Sequence, residues 1–218
     1  MWRVDFHVHT LASPDSLTSV EAVLAMARRR GLQKVAITDH NTLWGAKAAQ
    51  QLDPERVIVG EEIMTTEGEL LAYFLEETIP PGLPPAEAIA QIRAQGGVVA
   101  VAHPFDRRRK GHWKPEALAR IAPLVDAIEG LNARCFGREA NLRAQQFAAA
   151  RGLAVIAGSD AHTAGEVGRV VTLLPAFTTA EALKAALTTT RLEGRPSWPT
   201  VVLASRYAKW RKRWRLAS

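Results

Sequence analysis

Apolar positions along the chain repeat one local grammar: a stretch of helical periodicity, a glycine, then a short run rich in β-branched residues. Residues 20–30 lead through Gly31 to Lys34–Ile37, residues 86–95 through Gly96 to Val98–Val101, and residues 141–151 through Gly152 to residues 153–157. In the first unit Val20, Val23, Leu24 and Ala27 fall at i, i+3, i+4 and i+7, one face of a helix. Thr18 and Glu21 have the spacing of a capping box, and Gly31 supplies a left-handed stop. Runs that are apolar on consecutive residues, such as Val98-Val99-Ala100-Val101, predict strands covered on both faces, hence a parallel sheet wrapped by helices. Further strands are predicted at residues 4–8, 57–60, 70–75, 126–130 and 169–173. An eight-fold barrel typically needs about 250 residues. With 218 residues, a compact or incomplete barrel of about seven β/α units fits better, and an open doubly wound sheet is the alternative. The Pro-rich segments 79–85 and 194–199 read as loops within one domain.

Composition adds three constraints. Apolar residues make up 47% and charged residues 23%, the balance of one soluble globular domain. The single cysteine, Cys135, excludes an intramolecular disulfide and a cysteine-based zinc cluster, so any metal must be held mainly by nitrogen and oxygen. No segment approaches the roughly 18 apolar residues of a membrane span, and a cytoplasmic protein without membrane contact is expected.

Histidine carries the chemical signal. Five of the six histidines fall at or just after a predicted strand end: His7, His9, His40, His103 and His162. A parallel barrel gathers such positions on one rim, where its βα loops build the site. Asp15, Glu61, Glu62 and Asp160 join them there. Imidazole and carboxylate together suit zinc, manganese or iron, and the set is large enough for two or three ions with positions left for water. Such a set marks a hydrolytic cluster rather than a closed structural site.

Five motifs in order then resemble the PHP (polymerase and histidinol phosphatase) metallophosphoesterases: His7-Val8-His9 with Asp15, Thr38-Asp39-His40-Asn41-Thr42, Gly60-Glu61-Glu62-Ile63, Ala102-His103-Pro104, and Gly158-Ser159-Asp160-Ala161-His162. The match covers roughly residues 3–175. The resemblance implies a distorted (β/α)7 barrel of α/β class whose rim holds two or three divalent ions (manganese, zinc or iron). It implies that His7, His9, Asp15, His40, Glu62, His103, Asp160 and His162 are the ligands, with Glu62 bridging. Strand alternation puts Glu61 on the face opposite Glu62. Many relatives carry a histidine where this chain has Glu69, so Glu69 is a ligand candidate of altered charge.

Asp39, His103 and Asn132 are the catalytic candidates: Asp39 to fix the tautomer of His40, a histidine such as His103 to protonate the leaving group, and Asn132 to orient water or substrate. Arg107 in the run Arg107-Arg108-Arg109-Lys110, with Arg134 and Arg169, is expected to meet substrate phosphate, and His112 to lie at the surface. The expected reaction is hydrolysis of a phosphate ester, of a phosphorylated small molecule or nucleotide, by a metal-bound hydroxide. An amidohydrolase-like barrel also opens with His-x-His but is expected to use a bridging lysine. A degenerate PHP scaffold is the non-enzymatic alternative. Only residues 76–102 separate the strand after the Glu motif from the His-Pro motif, which predicts an open site.

The formal charge of +6 has a definite location. Residues 206–215 hold six cationic side chains and no acid, so the rest of the chain is neutral overall. A barrel over residues 1–200 and a basic amphipathic helix over 201–218 are therefore expected. Leu203, Tyr207, Trp210 and Trp214 recur on one helical face. That stripe is expected to pack on the barrel, and the alternative is contact with nucleic acid through exposed tryptophan.

Overall fold

The computed structural model describes residues 1–217, with side chains through Trp214. Nine strands, β1 (Trp2–Val8), β2 (Lys34–Ile37), β3 (Val57–Met64), β4 (Glu69–Tyr73), β5 (Val98–Val101), β6 (Ala127–Asn132), β7 (Ala154–Gly158), β8 (Val170–Leu174) and β9 (Arg191–Gly194), form one sheet. Its order is β7-β6-β5-β4-β3-β2-β1-β8-β9. Seven helices accompany them: α1 (Val20–Arg29), α2 (Trp44–Leu52), α3 (Pro85–Ala94), α4 (Pro115–Ile121), α5 (Arg138–Ala149), α6 (Ala180–Ala186) and α7 (Val201–Ala217). No helix is long and apolar enough to cross a membrane among the described residues.

The first seven strands curl until β7 returns to β1, where Asp160 N donates to His7 O at 2.7 Å and His9 N to Ala161 O at 2.9 Å. Gly158 permits that approach, because a Cβ there would lie 2.3 Å from the His7 Cβ. The sheet is not wholly parallel, which corrects the simplest reading of the pattern. β4 is antiparallel to both β3 and β5, and β8 is antiparallel to β1. Reversal of β4 has a functional result: its first residue, Glu69, reaches the same rim as the last residues of the parallel strands.

Alternation along the strands separates two layers. Ala36, Ile58, Leu71, Tyr73, Ala100 and Ile156 share the interior with Phe6, whereas Val35, Ile37, Val59, Leu70, Val99 and Val101 pack under the helices. Phe177 stacks on Phe6 at 6.4 Å and touches Trp2 at 5.8 Å, closing the end where β1 begins. In α1 the buried residues are Val20, Val23, Leu24 and Ala27, the predicted stripe. Its cap is Ser19, which accepts from Ala22 N, rather than Thr18, whose hydroxyl donates to His162 O. Gly31 takes φ 65° after the helix, as a left-handed stop requires.

The outer face of α7 departs from expectation. Leu203, Tyr207, Trp210 and Trp214 are 63%, 52%, 56% and 68% exposed. Contact with the barrel is made by the opposite, polar side: Ser205 Oγ accepts from Arg134 Nη1 at 2.8 Å, Lys209 Nζ pairs with Asp15 Oδ2 at 3.1 Å, and Lys212 Nζ donates to Leu11 O at 2.6 Å. The acidic, carbonyl-rich rim attracts lysine more strongly than it attracts rings. The side chain of Arg215 lies outside the described residues.

Candidate metal centre

Register with β2 shifts between Asp5 and Val8. Val4 and Phe6 face the interior, yet Val8 packs in the outer layer, so the irregularity changes the strand's faces and aims His7 and His9 together at the rim. On β3 the interior residue Ile58 is followed at two-residue steps by Gly60 and Glu62, and on β6 Ala127 is followed by Glu129. Glu62 and Glu129 thus enter the barrel mouth from strand interiors.

Five imidazoles converge there. Ring centroids are 4.2 Å apart for His9–His162, 4.5 Å for His9–His40, 5.0 Å for His7–His9 and 5.7 Å for His7–His103. Glu62 sits among them: Oε2 lies 3.0 Å from His40 Nδ1, 3.2 Å from His7 Nε2 and 3.3 Å from His9 Nε2, while Oε1 lies 2.9 Å from His103 Nε2. Asp160 Oδ1 is 3.4 Å from His9 Nε2, and Asp15 Oδ1 is 3.1 Å from His162 Nε2 and 3.6 Å from His40 Nε2. Glu69 Oε2 approaches His103 Nε2 at 3.6 Å. All nine residues proposed as ligands from the sequence are brought to one rim.

The hydrogen bonds around the cluster test whether it suits cations. His7 Nδ1 is 2.9 Å from Glu129 Oε1, a carboxylate that only accepts, so Nδ1 carries a proton and, in the neutral ring, Nε2 presents a lone pair. Ser13 Oγ donates to Asp39 Oδ1 at 2.6 Å and therefore accepts from His9 Nδ1 at 2.9 Å, leaving His9 Nε2 a lone pair as well. These two lone pairs face each other across 3.0 Å. His162 Nδ1 donates to Asp160 O at 2.8 Å, which turns its Nε2 lone pair to Asp15. Glu62 Oε2, Asp160 Oδ1 and Asp15 Oδ1 are buried without a hydrogen-bond partner. Acceptors pointed at acceptors in a buried mouth are stable only around positive charge. Divalent ions fit this donor set, and three overlapping groups of ligand atoms, which share His7 and His9, could hold one: His7-Glu62-His103, His7-His9-Asp160 or His9-His40-His162. A fourth group, His40-Glu62-Glu69, overlaps them.

Burial lowers His7, His9 and His40, but Glu62 and the neighbouring carboxylates outweigh it and raise all three, so protons compete with divalent ions for these rings. Burial pulls His162 down to about 4, keeping it in the neutral, ligating form. Burial would raise Asp15, but the His162 and His40 contacts hold it well below the usual carboxylate range. Burial followed by the charge of Glu62 raises Glu69.

Two of the three catalytic candidates, Asp39 and Asn132, prove to be fully occupied. Asp39 does not reach the His40 ring; its oxygens accept from Thr10 N at 2.7 Å, Thr10 Oγ1 at 2.6 Å and Ser13 Oγ, so it orients His9 through Ser13. Asn132 donates from Nδ2 to Glu129 Oε2 at 3.0 Å and Asp160 Oδ2 at 3.2 Å, and its Oδ1 accepts from Arg134 N and Cys135 N. Its amide nitrogen is thereby placed between two carboxylates. His103 turns Nε2 to the two glutamates, and its Nδ1 is buried without a hydrogen-bond partner. His103 and Asp160 have φ of 22° and 53°, backbone strain of about 1–3 kcal/mol each. The bonds His103 N to Glu129 Oε2 at 2.8 Å and Asp160 N to His7 O oppose that strain.

The arginine assignments shift by a few residues. A cleft of about 650 Å³ opens over the cluster, lined by Asp15, His162, Arg108, Arg109, Arg134, Phe136, Arg206 and Lys209. Arg109 pairs with Asp160 Oδ2, whereas Arg107 is exposed and lines other depressions beside Phe105. Arg134 reaches the cleft but is bound by both oxygens of Glu166, at 2.7 and 2.6 Å. Arg169 is outside the cleft and holds the 194–199 loop through Pro196 O. His112 stays out of the cluster, bonded to Arg109 O.

Glu129, Ser13 and Lys209 were not legible as site residues, and Arg109 was legible only as one member of the basic run 107–110. A charged side chain inside the apolar run Ala127-Ile128-Glu129 was the available sign of the first.

Glu61 faces away from the cluster, fully buried, and accepts from Ile79 N at 3.0 Å. Burial pushes its carboxyl from 4.5 up to about 7. The folded protein therefore holds a proton that the unfolded chain releases, so the stability tied to Glu61 is full below about pH 4.5 and is lost as pH rises through about 7. Glu61→Gln is expected to match the parent near pH 4.5 and to exceed it by about 3 kcal/mol at pH 8. Parallel melting curves across that range would contradict the assignment.

Family models for the PHP domain and for the PHP-associated region match residues 5–90 and 138–192. An uncharacterised Methanocaldococcus jannaschii protein is 41% identical over 116 residues, 47% of this chain and 68% of that one. The chain belongs to the PHP family. A probable phosphatase of Enterobacter sp. is 28% identical over 205 residues, covering 77% of this PHP chain and 82% of its own length. Among solved structures, a two-domain Bacteroides vulgatus protein described as containing a predicted PHP-like metal-dependent phosphoesterase superposes with TM-score 0.73 at 20% identity. That match covers 89% of the PHP chain and 65% of the longer protein. A lesion-specific endonuclease of Pyrococcus furiosus superposes with TM-score 0.56 at 13% identity, over 88% and 57% of the two chains. Membership places the PHP chain among metal-dependent hydrolases, in the α/β barrel class read from its sequence.

Proposed function

We propose that the PHP chain hydrolyses phosphate esters of nucleotides or short nucleic acid. The observation that carries this reading is Glu62, one carboxylate faced by four histidine nitrogens on two oxygens, the arrangement of a bridge between ions. His7, His9, Asp15, His40, Glu62, Glu69, His103, Asp160 and His162 would hold two or three ions of manganese, zinc or iron. When bound, such ions supply a water of lowered pKa and positive charge opposite the phosphoryl oxygens.

The chain's own residues supply the rest. Glu129 and Ser13 fix the proton on the Nδ1 of His7 and His9, so both rings present Nε2 to the rim. Arg109 neutralises the outer oxygen of Asp160, and Asn132 steadies the same carboxylate. Arg108, Arg206 and Lys209 line the cleft and attract the anionic ester. With His103 committed to the glutamates, water entering the open cleft protonates the leaving oxygen.

The Enterobacter phosphatase and the Pyrococcus endonuclease support a phosphate ester and a nucleic-acid substrate respectively. At the bridging position stands a carboxylate rather than the lysine expected of the amidohydrolase alternative. Chelation followed by return of manganese, zinc or iron, with a chromogenic phosphate ester as substrate, tests the proposal. Turnover that survives complete metal removal overturns it.

Glu69 is assigned to the ligand set by its approach to His103 and its place in the His40-Glu62-Glu69 group. Glu69→Ala is expected to lower the number of ions bound per chain by about one, by the loss of an anionic ligand. An unchanged count in elemental analysis removes it from the site.

A further inference from the structure

A helix that turns its aromatic stripe to solvent and its lysines to the protein reverses the ordinary arrangement. In α7 the inward contacts are Ser205, Lys209 and Lys212, and the outward row is Leu203, Tyr207, Trp210 and Trp214. Ring centroids step at 5.9 Å from Tyr207 to Trp210 and at 5.9 Å from Trp210 to Trp214. At 100° per residue, Arg206 and Arg213 flank the row on one side and Arg211 on the other, all three exposed. Residues 201–217 include no acid. The row does not end on bare surface: Leu203, Arg206 and Lys209 also line the cleft that contains Asp15 and His162.

We propose that this face of α7 is a track for a single-stranded nucleic acid, whose bases stack on Tyr207 and Trp210 while its end lies in the cleft over the histidine cluster. Exposed rings take any base face, and flanking arginines pair with the backbone, so recognition is independent of sequence. Neither contact uses a 2′-hydroxyl, so deoxyribo- and ribo-strands bind alike. A duplex hides its bases in its own stack and has nothing to offer the rings. Delivery of an end to the cleft rests on the phosphoesterase reading; binding along the track does not.

The test is fluorescence anisotropy of labelled eight-residue oligothymidylate and oligouridylate, both with phosphorothioate linkages, added to the as-purified full chain. Similar affinities for the two strands are expected, weakening steeply with salt and weaker for a duplex of equal length. The double variant Tyr207→Ala, Trp210→Ala is expected to bind at least about 30-fold more weakly, from two stacked bases worth about 1–3 kcal/mol each. Its melting temperature should be unchanged, since both rings are exposed. Equal affinity for the duplex, or unchanged binding by the double variant, overturns the track. So does a chain that ignores both strands yet uses these rings to bind phosphatidylserine vesicles or to dimerise. Because turnover is not read, a failed binding test leaves the chromogenic-ester result standing, and the reverse also holds.

Discussion

Glu62→Gln is expected to strip the protein of most of its bound metal and to lower kcat/KM on a phosphate ester by roughly three orders of magnitude, the several kcal/mol that metal charge supplies. The substitution keeps volume and one oxygen but removes the charge that His7, His9, His40 and His103 all face. Replacing any one of those histidines removes a neutral nitrogen donor, from one group of ligands for His103 and from two for His7, His9 or His40, but leaves the anionic charge in place. Replacing Glu62 weakens the groups it joins, His7-Glu62-His103 and His40-Glu62-Glu69, together. The glutamine amide also points donors at ring nitrogens or leaves them facing bare acceptors, so the larger loss is cooperative. Elemental analysis alongside initial rates checks this, and a variant with full metal content refutes the bridging assignment.

Glu129→Ala should show the largest effect on stability among residues that touch no proposed ion. Its two oxygens serve three buried donors: His7 Nδ1, the His103 backbone N–H and Asn132 Nδ2. Each donor left without a partner costs about 1–3 kcal/mol, and water entering the space recovers part of it. A net loss of about 3–5 kcal/mol corresponds to a fall of roughly 6–20 °C in melting temperature for a chain of this size. The proton on His7 also loses its fixed position, so metal affinity should fall about 10- to 100-fold. Glu129→Gln, which retains an acceptor oxygen, is expected to recover part of both. A melting temperature within about 2 °C of the parent would show that the three donors find other partners.

The fold was legible where burial repeats at short range. The α1 stripe, the doubly covered strands and the glycine stops are local patterns, and the strands appear close to their predicted positions. The reversal of β4 was not legible, because a five-residue apolar run carries no direction. β9, Arg191–Gly194, was missed because its residues are half exposed to exposed and its pairing with β8 is invisible locally. The ligands were read because they cluster in motifs at strand ends. Their supports were not, since Glu129 lies 122 residues from His7 and Lys209 comes from the far end of the chain. The outward row on α7 has a related cause: periodicity shows that four apolar positions share a face, and only the polarity of the rim decides which way that face turns.

The seam between β1 and β7 has a consequence for how the protein comes into being. Ser159 N and Oγ reach Asp5 across 154 residues of chain, and the ligands His7, His9, Asp160 and His162 lie on the two sides of that join. A ribosome-bound chain that has not yet released its seventh strand lacks Asp160 and His162 and cannot complete the His7-His9-Asp160 and His9-His40-His162 groups. Loading of those two groups must follow closure, and an ion held there ties the first strand to the seventh. Contacts of such long range are the slowest to form, and a ligand that binds only the closed form stabilises it by mass action. The metal supply would then govern not only the rate of the reaction but the fraction of chains whose two ends stay joined.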